Sequence, residues 1–370
     1  MIGAMKIAVS CGGTGGHMYP GLAVAAELLA RGHEVGVVLS GRSVESERTG
    51  GGLPRGAAVL PVRIPRPSAR RPLSVFAWAG ASIPARRALR AFRADALLAM
   101  GSYTSLPPVL AARSLGIPVV LHEANAVPGK AVARLARFAR AVCVCFPGME
   151  KRFAPGTRLV KTGLPLRSEF ARGVGGSAPS DGAFRLLVMG GSQGAKGLNK
   201  LVAEAFGLAT RTDPAGLARR RVKIVHLAGR AGEEEARALW AASGAAERGV
   251  GIEVVGFESD MARRYAEADA CVSRAGASSC FELALAGVPA VFVPLPHLAG
   301  DHQSRNAEAF AGAADLVSQE DPDASAKLLA ALFALADDPA LRAARREKML
   351  AFAPDAPAAR VADVLERLPA

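Results

Sequence analysis

Two glycine loops carry most of the chemistry this sequence can support. The first, Cys11-Gly-Gly-Thr-Gly-Gly-His17, follows the apolar run Met5–Ser10 and precedes the helical pattern Leu22–Ala30. Consecutive glycines let backbone N–H groups close on an anion, and the N-terminus of the following helix favours negative charge. The loop is not a dinucleotide fingerprint, because the glycine that Gly13-x-Gly15-x-x requires next is replaced by Met18. It is not a Walker loop either, since the lysine is missing. His17 closes it, where an imidazole of ordinary pKa could take a proton from a nucleophile near neutral pH. The second loop, Gly190-Gly-Ser-Gln-Gly194, stands in the same strand–loop–helix setting, and Ser192 adds a hydroxyl donor. As a pair the loops point to diphosphate ligands more strongly than either does alone.

Two further segments add polar groups. Ser273-Arg-Ala-Gly-Ala-Ser-Ser-Cys-Phe-Glu282 enters a helix through small residues. Glu282 on that helix could accept two hydrogen bonds from a ribose diol, or Ser278 or Ser279 could simply cap the helix with Glu282 facing its dipole. Pro294–Ala307 gathers His297, Asp301, His302, Gln303 and Asn306 just beyond a strand, as a ligand loop would. Asp321-Pro-Asp323 is the only Asp-x-Asp triplet and reads as a helix-start turn, so no metal site is expected.

The elements that must hold these loops alternate strand and helix. Met5–Ser10, Glu34–Leu39, Ala96–Met100, Pro118–Leu121 and Ala141–Phe146 read as buried strands. After a Gly/Ser/Pro-rich stretch at Ala171–Gly182, read as a linker, the programme restarts. Phe184–Met189, Val222–Leu227, Ile252–Val255, Ala270–Val272 and Ala290–Val293 are its strands and Leu198–Ala205 its first helix. This pattern predicts two parallel-sheet α/β domains, 1–163 and 164–340, facing a cleft, with ligands at the carboxyl ends of the strands. The helical spacing of Ala359–Leu368 suggests a last helix, about 355–370, that packs back on the first domain.

Composition excludes several classes. The 370 residues are 50% hydrophobic, too apolar for a disordered chain. No apolar run approaches the ~20 residues that span a bilayer, and the first ten residues are not expected to be a signal peptide. Five cysteines at irregular spacing read as buried thiols. Residues 1–163 hold 22 Lys and Arg against 7 Asp and Glu, and residues 164–370 hold 24 against 26. All the excess positive charge therefore lies in the first half, which implies a polyanionic partner there. Arg66, Arg70, Arg71, Arg86, Arg87, Arg90 and Arg93 flank Leu73, Val75, Phe76 and Trp78, and Arg134, Arg137 and Arg140 follow. A basic rim around an apolar centre suits an anionic membrane surface. Nucleic acid is not expected, because aromatic residues are 5% of the chain and none interleaves with the arginines.

Gly-Gly-Thr-Gly-Gly-His at 12–17, His-Glu-x-Asn at 122–125, Gly-Gly-Ser-Gln-Gly-Ala at 190–195, Arg-x-Gly-Ala at 274–277 and His-Gln-x-x-Asn-Ala at 302–307 occur in this order. Together they resemble the MurG family of UDP-N-acetylglucosamine:undecaprenyl-diphospho-muramoylpeptide N-acetylglucosaminyltransferases. The resemblance runs from about Met5 to the last helix. It implies a GT-B architecture, two Rossmann-like domains with the lipid-linked acceptor (lipid I) on the first and UDP-N-acetylglucosamine (UDP-GlcNAc) on the second. It implies metal-independent inverting transfer without a cofactor, at the cytoplasmic face of the inner membrane, in peptidoglycan synthesis. By motif, His17 is the catalytic residue and Thr14, Gly15 and Gly16 line the acceptor diphosphate or the transferred sugar. Asn125 and Arg167 contact the donor, Ser192 its phosphates, Glu258 (through its backbone) and Ala277, Ser278 and Ser279 the uracil and α-phosphate. Glu282 takes the ribose, and Gln303 with His302 the sugar hydroxyls. Glu258 departs from the apolar residue often found there, and Ser102 follows Gly101 where the family often has a second glycine. The competing readings are a UDP-GlcNAc 2-epimerase-like enzyme of the same fold and a non-catalytic nucleic-acid-binding protein.

Overall fold

The computed structural model describes residues 3–12, 15–39, 53–65, 74–170, 172–176, 181–191, 194–296 and 300–368. They form two compact units, Met1–Ser168 with Pro354–Ala370, and Glu169–Ala353.

The first unit is built on a parallel seven-stranded sheet of β1 (Lys6–Ser10), β2 (Glu34–Leu39), β3 (Ala58–Pro61), β4 (Ala96–Ala99), β5 (Val119–Glu123), β6 (Ala141–Val144) and β7 (Leu159–Lys161). Their order is β3-β2-β1-β4-β5-β6-β7. The central strands are mostly apolar because neither face of a parallel sheet meets water. Starting at β1, the chain builds outward to β3 and then returns to lay β4 against the other side of β1. That reversal opens a crevice at the carboxyl ends of β1 and β4, where ligands bind in such sheets. The helix Pro357–Glu366 belongs to this unit and packs on the helix Gly15–Ala30. Val361, Ala362 and Leu365 are buried there. Arg31 Nη1 donates to Asp363 (2.7 Å) and Glu366 (3.0 Å). His33 Nδ1 accepts from the Met5 N–H, which leaves Nε2–H to donate to Glu366 at 2.9 Å.

The second unit repeats the device with β8 (Arg185–Met189), β9 (Lys223–Leu227), β10 (Gly251–Val255), β11 (Ala270–Ser273), β12 (Ala290–Phe292) and β13 (Asp315–Leu316). The order is β10-β9-β8-β11-β12-β13, so the reversal falls between β8 and β11. Inside the core, His226 of β9 accepts from Trp240 Nε1 at Nδ1 (2.8 Å) and donates from Nε2 to Asn199 Oδ1 (3.0 Å). Asn199 Nδ2 then donates to the Ala228 carbonyl (3.1 Å), fixing the turn beyond β9.

Three details differ from the sequence reading. The described part of the 171–182 stretch is not a free linker. Gly173, Gly175 and Gly176 donate their N–H groups to Leu285, Ala286 and Ala268, and Arg346 donates to the carbonyls of Gly173 and Gly175. The break between the units falls after Ser168, because Thr162 and Leu164 are buried in the first unit and Gly163 lies against the Pro354 ring. The helix Pro339–Phe352 carries Arg346, so the second unit continues to Ala353.

Candidate active site

In the first unit the crevice is lined from β1, β4 and β5. Gly15, Gly16 and His17 form the first turn of the helix Gly15–Ala30, and Thr14 lies outside the described residues. Across the crevice, Gly101 follows β4 at φ +89°, and a Cβ there would come within 3.5 Å of the His17 ring. Thr104 ties the two loops by donating its hydroxyl to the Gly12 carbonyl (2.8 Å). Surrounding protein desolvates His17 and pulls its pKa down to about 4. The expectation of an imidazole titrating near neutral pH is therefore corrected. His17 is neutral throughout the physiological range, and the first turn of a helix also disfavours its cationic form.

At the carboxyl end of β5, Glu123 is buried and both of its carboxylate oxygens accept hydrogen bonds. Its Oε1 accepts from the Asn125 N–H (2.9 Å) and from Asn125 Nδ2 (3.1 Å), and its Oε2 from the Gly129 N–H (2.8 Å). Asn125 is thus held by its neighbour two residues back. His122, also buried, donates from Nε2 to the Gly163 carbonyl (3.2 Å) and leaves Nδ1 without a hydrogen-bond partner among the described residues. Burial holds its pKa down at about 4. Arg167 stacks its guanidinium on Tyr19, 5.0 Å from the ring centroid, two residues from His17 in sequence. That places Arg167 on the first unit rather than in the 164–340 domain.

Ser102 adopts φ 66° and ψ 164°, a region that L-residues other than glycine rarely enter. This is the position where the resemblance leads one to expect glycine. Strain of that kind is of the order of 1–3 kcal/mol, partly offset by the greater freedom of an unfolded glycine. We expect Ser102→Gly to raise the thermal midpoint of the first unit by about 2 °C. An unchanged or lower midpoint in calorimetry would show that the serine side chain holds the loop.

In the second unit the corresponding crevice lies between β8 and β11. Gly194 has φ +74°, and a Cβ there would stand 2.3 Å from the Ala228 carbonyl oxygen, so the loop admits only glycine. Ser192 lies outside the described residues. After β11, Ala277, Ser278 and Ser279 make the first turn of the helix Ala277–Ala286, whose N-cap is Gly276 with no side-chain cap. The capping role weighed for Ser278 and Ser279 is thereby excluded, and the first-turn N–H groups are not consumed by a cap. One turn on, Glu282 accepts a hydrogen bond from Tyr265 Oη at 2.7 Å, which orients the carboxylate.

Gln303 Oε1 accepts the Leu295 N–H (2.9 Å), and Asn306 Nδ2, fully buried, donates to the Ala275 carbonyl (3.1 Å). The His302 ring lies against Gly300, while His297 is outside the described residues. The Glu258 side chain accepts from the Asp260 N–H (2.9 Å) and pairs with Arg264 (2.7 Å), and these bonds lower its pKa. Asp321 accepts from the Asp323 N–H and pairs with Lys327, a local turn before the helix Ala324–Asp337.

Comparison with known proteins decides what this arrangement belongs to. Residues 7–144 match the glycosyltransferase family 28 N-terminal domain, and residues 185–360 match the glycosyltransferase family 28 C-terminal domain. The UDP-N-acetylglucosamine–N-acetylmuramyl-(pentapeptide) pyrophosphoryl-undecaprenol N-acetylglucosamine transferase of Stutzerimonas stutzeri (strain A1501) is 38% identical, over 87% of this chain and 87% of its own length. The chain belongs to the MurG family. The transferase of the same name from Sorangium cellulosum (strain So ce56) is 40% identical over 98% of this chain and 88% of its own. The crystal structure of Acinetobacter baumannii MurG matches with a TM-score of 0.78 and 31% identity, over 98% of this chain and 100% of that one. The two parallel-sheet units are thus those of a GT-B glycosyltransferase of the MurG family.

Within this MurG-family site the sequence reading missed two supporting groups. Tyr265 sits in an ordinary-looking helix, Met261–Glu267, and nothing in its neighbours announces a bond to Glu282. Glu123 was visible only inside the His-Glu-x-Asn motif, and its role as the anchor of Asn125 is a matter of geometry.

Proposed function

We propose that this chain moves N-acetylglucosamine from UDP-GlcNAc to the C4 hydroxyl of the N-acetylmuramoyl residue of undecaprenyl-diphospho-MurNAc-pentapeptide (lipid I). The product is lipid II, for peptidoglycan synthesis. The relatives at 38% and 40% identity are transferases of this kind. What supports the chemistry is, in the first unit, a neutral imidazole at the switch point and, in the second unit, a helix N-terminus without a side-chain cap at its own switch point.

The first unit takes the acceptor and the second the donor. His17 removes the proton of the C4 hydroxyl as its oxygen bonds to the anomeric carbon from the face opposite UDP. The bond from that carbon to the β-phosphate oxygen breaks, and its electron pair leaves on UDP. N–H groups of Ala277, Ser278 and Ser279, with the Ser192 loop, receive the departing negative charge. Glu282, held by Tyr265, takes the ribose, and the backbone at Glu258 the uracil. Gln303 and His302 hold the sugar, Asn125 and Arg167 contact the donor, and Thr14, Gly15 and Gly16 line the acceptor diphosphate or the transferred sugar.

The membrane reading rests on a basic surface. Arg86, Arg87 and Arg90 of the helix Ser74–Phe92, and Arg93 just after it, are exposed, while Ala81, Ala85 and Leu89 of that helix are buried. Arg113 and Arg137 both stack on Phe138, at 4.8 and 4.6 Å, and Ile83 and Leu110 are exposed nearby in sequence. Arg66, Arg70, Arg71 and Leu73 lie outside the described residues, as do the side chains of Val75, Phe76 and Trp78. No helix among the described residues is long and apolar enough to cross a membrane. We infer reversible docking on an anionic leaflet, at the cytoplasmic face of the inner membrane.

A single-turnover assay with UDP-GlcNAc and a short-chain lipid I analogue tests the whole reading. The expected result is transfer with and without EDTA. Loss of transfer in EDTA, restored by magnesium, would bring Asp301 and Asp321 into play. An epimerised free sugar instead of transfer would establish the epimerase reading.

A further inference from the structure

Arg274 follows β11 directly, is 5% exposed, and has no part in the scheme above. Its N–H bonds to the carbonyl of Met189, the last residue before the Gly190–Ala195 loop. Its guanidinium then reaches in two directions. Nη1 donates to the carbonyls of Val293 (2.9 Å) and Pro294 (3.0 Å), beyond β12. Nη2 donates to Gln319 Oε1 (2.6 Å), beyond β13. Gln319 packs in turn on Gly197 in the first turn of the helix Lys196–Thr212, where a Cβ would stand 2.4 Å from Oε1. One side chain thus ties the ends of three strands to the helix that follows the glycine loop.

Among the described residues, Arg274 meets no anion. Arg264, similarly buried, meets both Glu253 and Glu258 at 2.7 Å. No carboxylate among the described residues pairs with Arg274, and its Nε is buried without a hydrogen-bond partner. A buried guanidinium normally brings its counter-ion with it, because an unpaired charge in a low-dielectric interior is strongly destabilising. Burial lowers the pKa of Arg274 to about 10, which leaves it charged at neutral pH. Carbonyl dipoles orient the group but do not neutralise it.

We propose that Arg274 is a positioning residue for the donor: it braces the donor loops, and its uncompensated charge awaits the donor's diphosphate as counter-ion. This rests on the reading of the second unit as the UDP-sugar unit.

The deciding variant is Gln319→Glu. It keeps an acceptor for Nη2 but supplies the missing carboxylate, so brace and charge are separated. We expect a higher thermal midpoint together with about tenfold weaker UDP binding in calorimetry on the full chain. KM for UDP-GlcNAc should rise in step and KM for the lipid acceptor should stay unchanged. A purely structural Arg274 predicts the opposite sign, equal or tighter UDP binding from a firmer brace, and that result would overturn the proposal. As a second pair, Arg274→Lys keeps the charge and Arg274→Met removes it. UDP affinity must fall further in the methionine variant, and equal losses would also overturn the counter-ion role. A wild-type chain that binds no UDP would instead remove the donor reading itself, whatever the melting shows.

Discussion

His17→Ala is expected to lose turnover by about 10²–10⁴-fold, the usual scale for a lost general base, while UDP affinity barely changes. The imidazole sits in the first turn of Gly15–Ala30 against Gly101, on the first unit, whereas Ala277, Ser278, Ser279 and Glu282, proposed to hold the phosphates and nucleoside of UDP, lie on the second. Removing it should therefore touch the acceptor's proton and not the donor's binding. The depressed pKa of His17, about 4, adds a second signature. Because the ring stays neutral well below pH 6.5, kcat/KM should show no acid limb near 6.5 from this group. Near-normal turnover in His17→Ala would remove the base assignment. A large loss of UDP affinity without a matching loss of turnover would make His17 a donor-binding residue.

Much of the architecture was legible because parallel strands announce themselves. Lys6–Ser10, Arg185–Met189 and their central neighbours are mostly apolar runs whose middle residues are buried. Ala58–Pro61, Leu159–Lys161 and Asp315–Leu316 were not legible. They are edge strands of two to four residues, partly exposed, and their pairing is dictated by the sheet they join. The site divides along a similar line. Glycines such as Gly194 reveal themselves in sequence, since a φ of +74° beside a backbone carbonyl excludes any side chain. The properties of side chains within the site do not. The lowered pKa of His17 and the orientation of Glu282 by Tyr265 depend on packing between separate segments of the chain, as does the lack of a carboxylate partner for Arg274 among the described residues. Only the fold brings those segments together.

The same burial of imidazoles makes the second unit sensitive to acid, and here the sign can be worked out. His226 has an unfolded pKa of 6.5 and a folded pKa lowered to about 4 by burial. Between those values the unfolded chain binds a proton that the folded one refuses, so stability is fully present above pH 6.5 and is lost as pH falls toward 4. From pH 7.5 to pH 5 the loss from this residue is about 2 kcal/mol. Nothing around the ring relieves it. Its two partners, Trp240 and Asn199, are neutral, and protonating Nδ1 would break the bond from the indole. Trp240 therefore reports the event directly. In a Trp78→Phe background it is the sole remaining indole of the two in the chain, so urea unfolding followed by its fluorescence reads the second unit alone. The expected result is a midpoint that moves to lower urea between pH 7.5 and pH 5. His226→Gln, which cannot titrate, should be less stable at pH 7.5 but lose about 2 kcal/mol less over the same interval. If His226→Gln shows the same pH dependence as its parent, the acid sensitivity belongs to other groups and the buried His226 contributes none of it.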